Sequence, residues 1–408
     1  MDFFNVVTVH EAVERIHEEF KGYELGFEEC PLAQAIGRIL YGDIIAPEDV
    51  PGFDRSTVDG YAIKSSDSHG SSDFMPSFLE CTGSVRMGES ADLSVRSGQA
   101  VYVPTGGMLP EGADCVVMIE YVQKAGESML TLHRPAAPLE NVIRRGDDIK
   151  EGQHVLKRGK TLRPQEIGVL AALGKSSVKV FGKPRIYIIS TGDEIVDVHE
   201  QLLSGQIRDI NGYALEALAA EAGCTIAGRA LVRDSLEELK AELDRALEIS
   251  DIILISGGSS VGERDYTEKA MNSYEGEGTF IHGIAIKPGK PTIVGKAKGR
   301  AVFGLPGHPV SAMIVFKAIV EKLVRRMCES EAAENFITAT MDMNVHSSPG
   351  RTTYQMVRMH EADGKIFAEP VFGKSGMISL LSRAEGYVEI PDYREGIEKG
   401  EQVKVRLI

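Results

Sequence analysis

Apolar positions between residues 185 and 327 come in two alternating textures. Unbroken runs, "PRIYIIS", "DIILISGG" and "AVFGLPGHP", carry no polar alternation, the mark of strands covered on both faces. Between them stand segments of helical period. "NGYALEALAAEAG" predicts a helix with Asn211 as N-cap and Gly223 at its end, and "SLEELKAELDRALEIS" an amphipathic helix. "IAGRALVRD" predicts a further strand, and "VSAMIVFKAIVEKLVRRM" a closing helix. Strands alternating with helices predict a doubly wound, mainly parallel α/β domain with helices on both faces.

The remaining chain is shorter in rhythm. An amphipathic helix begins near Val9, and residues 23–50 set strand-like pieces around "PLAQAIGRIL", which predicts a helix. Residues 51–139 are turn-rich and β-like, with "QAVYVPTG" and "DCVVMIEYV" broken by glycine. The strand–turn–helix texture then returns in "NVIRRGDDIKEGQHVLKRGKTLRPQEIGVLAALG". The expected division is therefore a discontinuous N-terminal α+β domain (1–50 and 140–178), a β-rich insert (51–139), the α/β domain (179–329) and a small C-terminal β-barrel or sandwich (332–408). A chain of 408 residues needs several cores.

Charge and cysteine content narrow the class. The formal net charge of −15 argues against general nucleic-acid binding, which needs a broad basic face. It leaves room for anionic ligands, because clustered cations override distant acid. The five cysteines (Cys30, Cys81, Cys115, Cys224, Cys328) form no CxxC pair, so a disulfide framework or zinc site is not expected, and a reducing cytoplasm is. No apolar run approaches membrane-spanning length.

Unusual residues collect where strands of such a sheet end, and ligands bind at carboxyl ends of strands. In "SGGSSVGERDYT", Gly257, Gly258 and Gly262 suit a loop whose N–H groups face a phosphate, although a plain strand-to-helix turn fits as well. Glu194, Asp234 and Asp265 each end or follow a different strand. Together they suggest Mg²⁺ beside phosphate, whereas Asp234 alone before "SLEEL" suits a helix cap. Lys287 and Lys290 flank Pro288 and Gly289 in "AIKPGKPTIVG". A stiffened turn carrying two cations points to an oxyanion, with Gly289 letting the ligand approach the backbone. Asp59 in "DRSTVDGYA" and Thr105 in "PTGGMLPEGADCVV" indicate little by themselves.

The set "STVDGYA", "PTGGMLPEGADCVVMIE", "RRGDDI", "STGDE", "SGGSSVGERDYT", "IKPGKP" and "GLPGHPVSA", in this order over nearly the whole chain, resembles the molybdopterin molybdenumtransferase family, related to the E domain of gephyrin. The resemblance implies the last step of molybdenum cofactor synthesis: molybdate and adenylylated molybdopterin enter, and cofactor and AMP leave, with Mg²⁺ required. It implies a cytoplasmic homodimer whose cleft is completed by the partner subunit, and contact with a molybdopterin adenylyltransferase. The family's functional residues fall on Asp59, Thr105, Asp148, Glu194, Asp234, Asp265, Lys287, Lys290, Pro306, Pro309 and Ser311, with Glu194 and Asp265 as metal ligands and Ser375 at the anion site. Departures are His308 where asparagine is common, Arg55, Gly283 where a lysine is frequent, and Met356 where many members place arginine. Strand parity sets Arg358 on the face of Met356, so Arg358 is expected to supply that charge, with Arg351 as the alternative. Tungstate in place of molybdate, an adenylyltransferase and a non-catalytic scaffold are the competing readings.

Overall fold

The computed structural model describes residues 6–257, 261–331 and 335–408, and over 261–265 the backbone alone. Four parallel strands, Thr225–Val232, Arg185–Thr191, Ile252–Gly257 and Arg300–Pro306, lie side by side, and Ile293–Ala297 and Gly278–His282 extend the sheet antiparallel. The unbroken apolar runs follow from this arrangement. Ile186, Ile188, Ile252 and Leu254 face one core with the helices Asn211–Glu221 and Pro309–Val315. Tyr187, Ile189, Ile253 and Ile255 face another with Leu236–Ile249 and Val261–Met271. Successive side chains of a strand point to opposite faces, so burial on both sides leaves no polar position. Each fully buried Ile or Leu contributes roughly 1.5–3 kcal/mol.

The helix Val9–Glu19 starts at a reciprocal cap. Thr8 Oγ1 accepts from the Glu11 N–H at 3.2 Å, and Glu11 Oε2 accepts from the Thr8 N–H at 2.8 Å. Its buried Ala12 and Ile16 join the core of Ile186 and Leu218. The start of the chain thus packs with the α/β layers, although its sequence position groups it with residues 21–50. Beyond it, Phe27–Pro31 pairs with Ser177–Phe181, and Ile44–Ile45 with His154–Leu156. "PLAQAIGRIL" does not form the expected helix. One 3₁₀ turn, Leu32–Gln34, is followed by Gly37 at φ +73°, and Ile39 and Leu40 are taken up by bridges to Thr161 and Val180. Long-range pairing outweighs the modest helix propensity of so short a segment.

Six strands between Gly60 and Leu132 form one mixed sheet among themselves. At the C-terminus, Thr352–Ala362 pairs with Lys365–Pro370 and with Gly386–Ile390, and Ile337–Met341 and Gln402–Leu407 close the ring. Of the two expected shapes the barrel is the one adopted. The helix from Pro309 to Met327 contains a π segment, Phe316–Val320. Among the described residues no helix is long and apolar enough to cross a membrane.

Buried Asp251 ties the base of the sheet together. It accepts from Arg185 Nη2 at 2.9 Å, the Arg185 N–H at 2.8 Å, Tyr23 Oη at 2.7 Å and Arg300 Nη1 at 3.2 Å. Removing one side of such a network leaves buried donors and charge unpaired. Asp251→Ala is expected to cost about 3 kcal/mol, read as an earlier urea midpoint. An unchanged midpoint would show that solvent replaces the carboxylate.

Candidate functional site at the sheet edge and barrel

Strand register lines up the functional loops. Thr191 pairs with Gly257, and Gly257 with Pro306, so "STGDE", "SGG" and "GLPGHP" leave the sheet in one row. A Cβ on Gly257 would lie 1.8 Å from Thr191 Oγ1, so only glycine fits there. Gly258 lies outside the described residues, and Gly262 sits in the first turn of Val261–Met271. Asn211 is not the N-cap the sequence predicts. Its Nδ2 donates to Ser256 Oγ and to the Gly307 carbonyl, each at 2.8 Å, tying two of these loops together. The neighbouring buried Asp209 does the capping, accepting from the Gly212 N–H at 2.8 Å and from Ser190 Oγ at 2.9 Å.

The lysine loop is fixed from three sides. The Ile284 N–H donates to the Lys290 carbonyl at 3.1 Å, and Thr292 Oγ1 to the Gly289 carbonyl at 2.7 Å. Val7 bridges Ile284, and Ile286–Lys287 pairs in parallel with Thr352–Thr353 of the barrel. Gly289, at φ +126°, lines the cleft and also serves packing. Its missing Cβ would lie 2.5 Å from Val315 Cγ2 and 3.2 Å from Ile286 Cγ2. The glycine lets the loop lie on the helix while Lys287 and Lys290 remain exposed.

Between this loop, the row of strand ends and the barrel lies a cleft of about 600 Å³. Of the sequence-predicted residues, Gly257, Lys287, Lys290, Pro306, Ser311, Arg351 and Ser375 line it, with Pro309 buried just behind. His308, His346, Tyr354, Gln355 and Phe372 also line it and were not singled out as site residues. Only the departure at His308 hinted at any of them. No Asp or Glu lines the cleft among the described residues, and neither lysine there has an ion-pair partner. Burial pushes the Tyr354 phenol far above its ordinary range, so it acts as a neutral hydroxyl.

Arg358 does not supply the missing arginine charge. Met356 turns into the cleft wall, and Arg358 shares its side of the strand, yet Arg358 pairs in register with Glu369 and donates to Glu369 Oε2 at 2.5 Å and 3.2 Å. The facing carboxylate captures the guanidinium at the solvent-exposed end of the strand. Arg351 takes the place in the cleft.

Glu194 and Asp234 do not line this pocket. Glu194 is exposed and Asp234 half-buried beyond the sheet edge, and the side chain of Asp265 lies outside the described residues. Ser235 caps the helix that follows Asp234, accepting from the Glu238 N–H at 3.4 Å. Among the described residues no three His, Cys, Asp or Glu side chains converge, so those present do not complete a magnesium shell. Asp59, Thr105 and Asp148 do not line the cleft either. Asp59 Oδ1 accepts from the Thr105 N–H at 2.7 Å and from Thr105 Oγ1 at 3.1 Å, and Asp148 is exposed in its turn.

A multidomain α/β enzyme with a cation-lined cleft against a β-barrel is the class these features define. Three family models match successive stretches of the chain: MoeA N-terminal region (domain I and II) over residues 7–174, a probable molybdopterin binding domain over 187–326, and MoeA C-terminal region (domain IV) over 338–408. A molybdopterin molybdenumtransferase of Staphylococcus aureus (strain Mu50) is 32% identical, the match covering 99% of this chain and 96% of that protein. The Haemophilus influenzae enzyme of the same name is 32% identical, over 98% of each chain. A crystal structure of the molybdopterin biosynthesis moeA protein from Pyrococcus horikoshii superposes with a TM-score of 0.86 at 31% identity, covering 99% of this chain and 100% of that one. The chain belongs to the molybdopterin molybdenumtransferase family.

Two cations with no local carboxylate make the lysine loop the test point. Lys287→Ala is expected to weaken molybdate binding roughly tenfold or more, with an unchanged melting temperature, because the side chain is exposed. Gly289→Ala is expected to lower both, since its Cβ must displace Val315. Calorimetric titration with a parallel thermal melt separates the two patterns.

Proposed function

We propose that this chain inserts molybdate into adenylylated molybdopterin and releases AMP, the last step of molybdenum cofactor synthesis. The observation that carries the reading is the cleft whose ionisable lining is Lys287, Lys290, Arg351 and two histidines, without a carboxylate among the described residues, at the carboxyl edge of the sheet. A cation and an anion about 4 Å apart attract by roughly 4 kcal/mol at an effective dielectric near 20. Two lysines and an arginine therefore hold a tetrahedral dianion despite the net charge of −15. Arg351 adds the planar fork that suits two oxygens of one oxyanion.

The row Thr191–Gly257–Pro306 lines the cleft, and a phosphate-bearing substrate would approach the sheet there. The glycine loop at 257–262 is the proposed holder of the AMP phosphate. Glu194 and Asp265 are the proposed Mg²⁺ ligands, on their sequence positions after two strands of the sheet, and Mg²⁺ would stabilise charge on the phosphate leaving group. The dithiolene sulfurs of the substrate take the metal, while the protein binds, orients and holds charge. Asp59, Thr105 and Asp148 lie on the insert and its junction, away from this chain's cleft. We assign them to the cleft of a second subunit in a homodimer. The strand pairings described above support the division into a discontinuous N-terminal domain, insert, α/β domain and barrel. A cytoplasmic location and contact with an adenylyltransferase belong to the same proposal.

The deciding experiment is AMP release from adenylylated molybdopterin on adding molybdate. A scaffold gives none, and an adenylyltransferase consumes ATP. Tungstate in parallel reads the anion preference. Asp265→Asn is expected to abolish Mg²⁺-dependent release while molybdate binding stays near wild type, and normal release would remove Asp265 from the metal site. Arg351→Ala is expected to lose molybdate-stimulated release, whereas Arg358→Ala keeps it, because Arg358 is held by Glu369 outside the cleft.

A further inference from the structure

His308 occupies the first turn after the strand Arg300–Pro306, and its Nδ1 lies 2.8 Å from Ser375 Oγ. Ser375 is itself fixed, since its carbonyl accepts from the Val310 N–H at 3.2 Å. The barrel loop thus grips the imidazole at the junction of the two domains. Gly376 follows Ser375 and lies against the Nε2 edge of the ring, where a Cβ would be in ordinary contact 3.9 Å from Nε2. His308 lines the same cleft as the lysine loop.

We infer that His308, oriented by Ser375, is a further ligand of the oxyanion and binds it as an imidazolium. The inference rests on the cleft being the anion site. The hydrogen bond to Ser375 Oγ uses one ring nitrogen, and protonation makes both nitrogens donors, leaving Nε2–H for the anion. The charged groups sharing the cleft are Lys287 and Lys290 on the loop, Arg351 on the barrel turn and His346 on the strand Val345–His346, with Tyr354 on the barrel wall and Lys374 next to Ser375 in the chain. A dianion beside Nε2 favours the protonated ring, so binding and protonation favour one another. The expected consequence is that anion binding draws a proton from solvent and weakens as pH rises through the histidine range.

Calorimetric titration with sodium molybdate tests this between about pH 6 and pH 8.5, around the usual histidine range, in paired buffers of different ionisation heat. Molybdate stays a dianion there, so proton uptake reports the protein. Wild type is expected to take up a fraction of a proton per anion and to lose roughly five- to tenfold in affinity across the range, about one unit of linkage. His308→Asn, which preserves shape and one hydrogen bond, is expected to bind with a flat pH profile and no uptake, matching wild type at the alkaline end. His346→Asn is expected to keep the wild-type slope, and thermal melts check that both variants fold. Uptake that persists in His308→Asn overturns the inference, as does uptake lost only in His346→Asn. Tight binding by wild type with no pH dependence also overturns it while leaving the lysine reading intact. No molybdate binding by wild type at any pH overturns the anion site and this inference together.

Discussion

The candidate site depends on one short pairing: Ile286–Lys287 lying parallel to Thr352–Thr353 of the barrel. This two-residue strand leaves the α/β domain and adds itself to another domain's sheet. The loop is closed on one side by the Thr292 and Ile284 hydrogen bonds, and Val7 holds it on the other. With both ends fixed, Lys287 and Lys290 stay beside Arg351 and Ser375, which belong to the barrel. The contact between Ser375 and His308 repeats the same connection a short way off. The cleft is therefore a property of the junction, and neither domain contains it alone.

The electrostatics follow from that junction. Charges screen one another over about 8 Å at physiological salt, so the acid elsewhere on the molecule counts for little inside the cleft. Local composition decides the potential, and the described lining holds cations without carboxylates. Several acids near the sheet serve structure instead. Asp209 caps a helix, Asp251 gathers donors from Arg185, Tyr23 and Arg300 at the base, and Glu369 holds Arg358 outside the cleft. Carboxylates with such partners are spoken for. Exposed Glu194 is not, and it remains available for a ligand.

Close packing sets where the catalytic loops emerge. The parallel register brings Thr191, Gly257 and Pro306 into a row, and the Gly257 position tolerates no side chain because Thr191 occupies the space. Asn211 then joins Ser256 to Gly307 through one amide. The loops thus share a rigid base, which suits the fixed positioning that the proposed reaction requires.

The α/β architecture was legible in the sequence because its strands are buried on both faces, leaving apolar runs that only such a sheet explains. The lysine loop was legible as a stiff, cation-bearing turn because two lysines with two prolines and a glycine are a local chemical statement. The tertiary structure decided the rest. "PLAQAIGRIL" gave up its helix to bridges with Thr161 and Val180, partners far along the chain. Asn211 stands at a helix start, yet its amide serves distant Ser256 and Gly307. Strand parity placed Arg358 beside Met356 correctly in direction, but the register across the hairpin set Glu369 opposite and removed its charge from the cleft. His308 could be seen as a departure, but its hydrogen bond to Ser375 could not. A sequence records the side chains each position offers and the period at which they recur. Which charge meets which partner depends on register and domain contact, and those are fixed by burial and backbone pairing summed over the whole molecule.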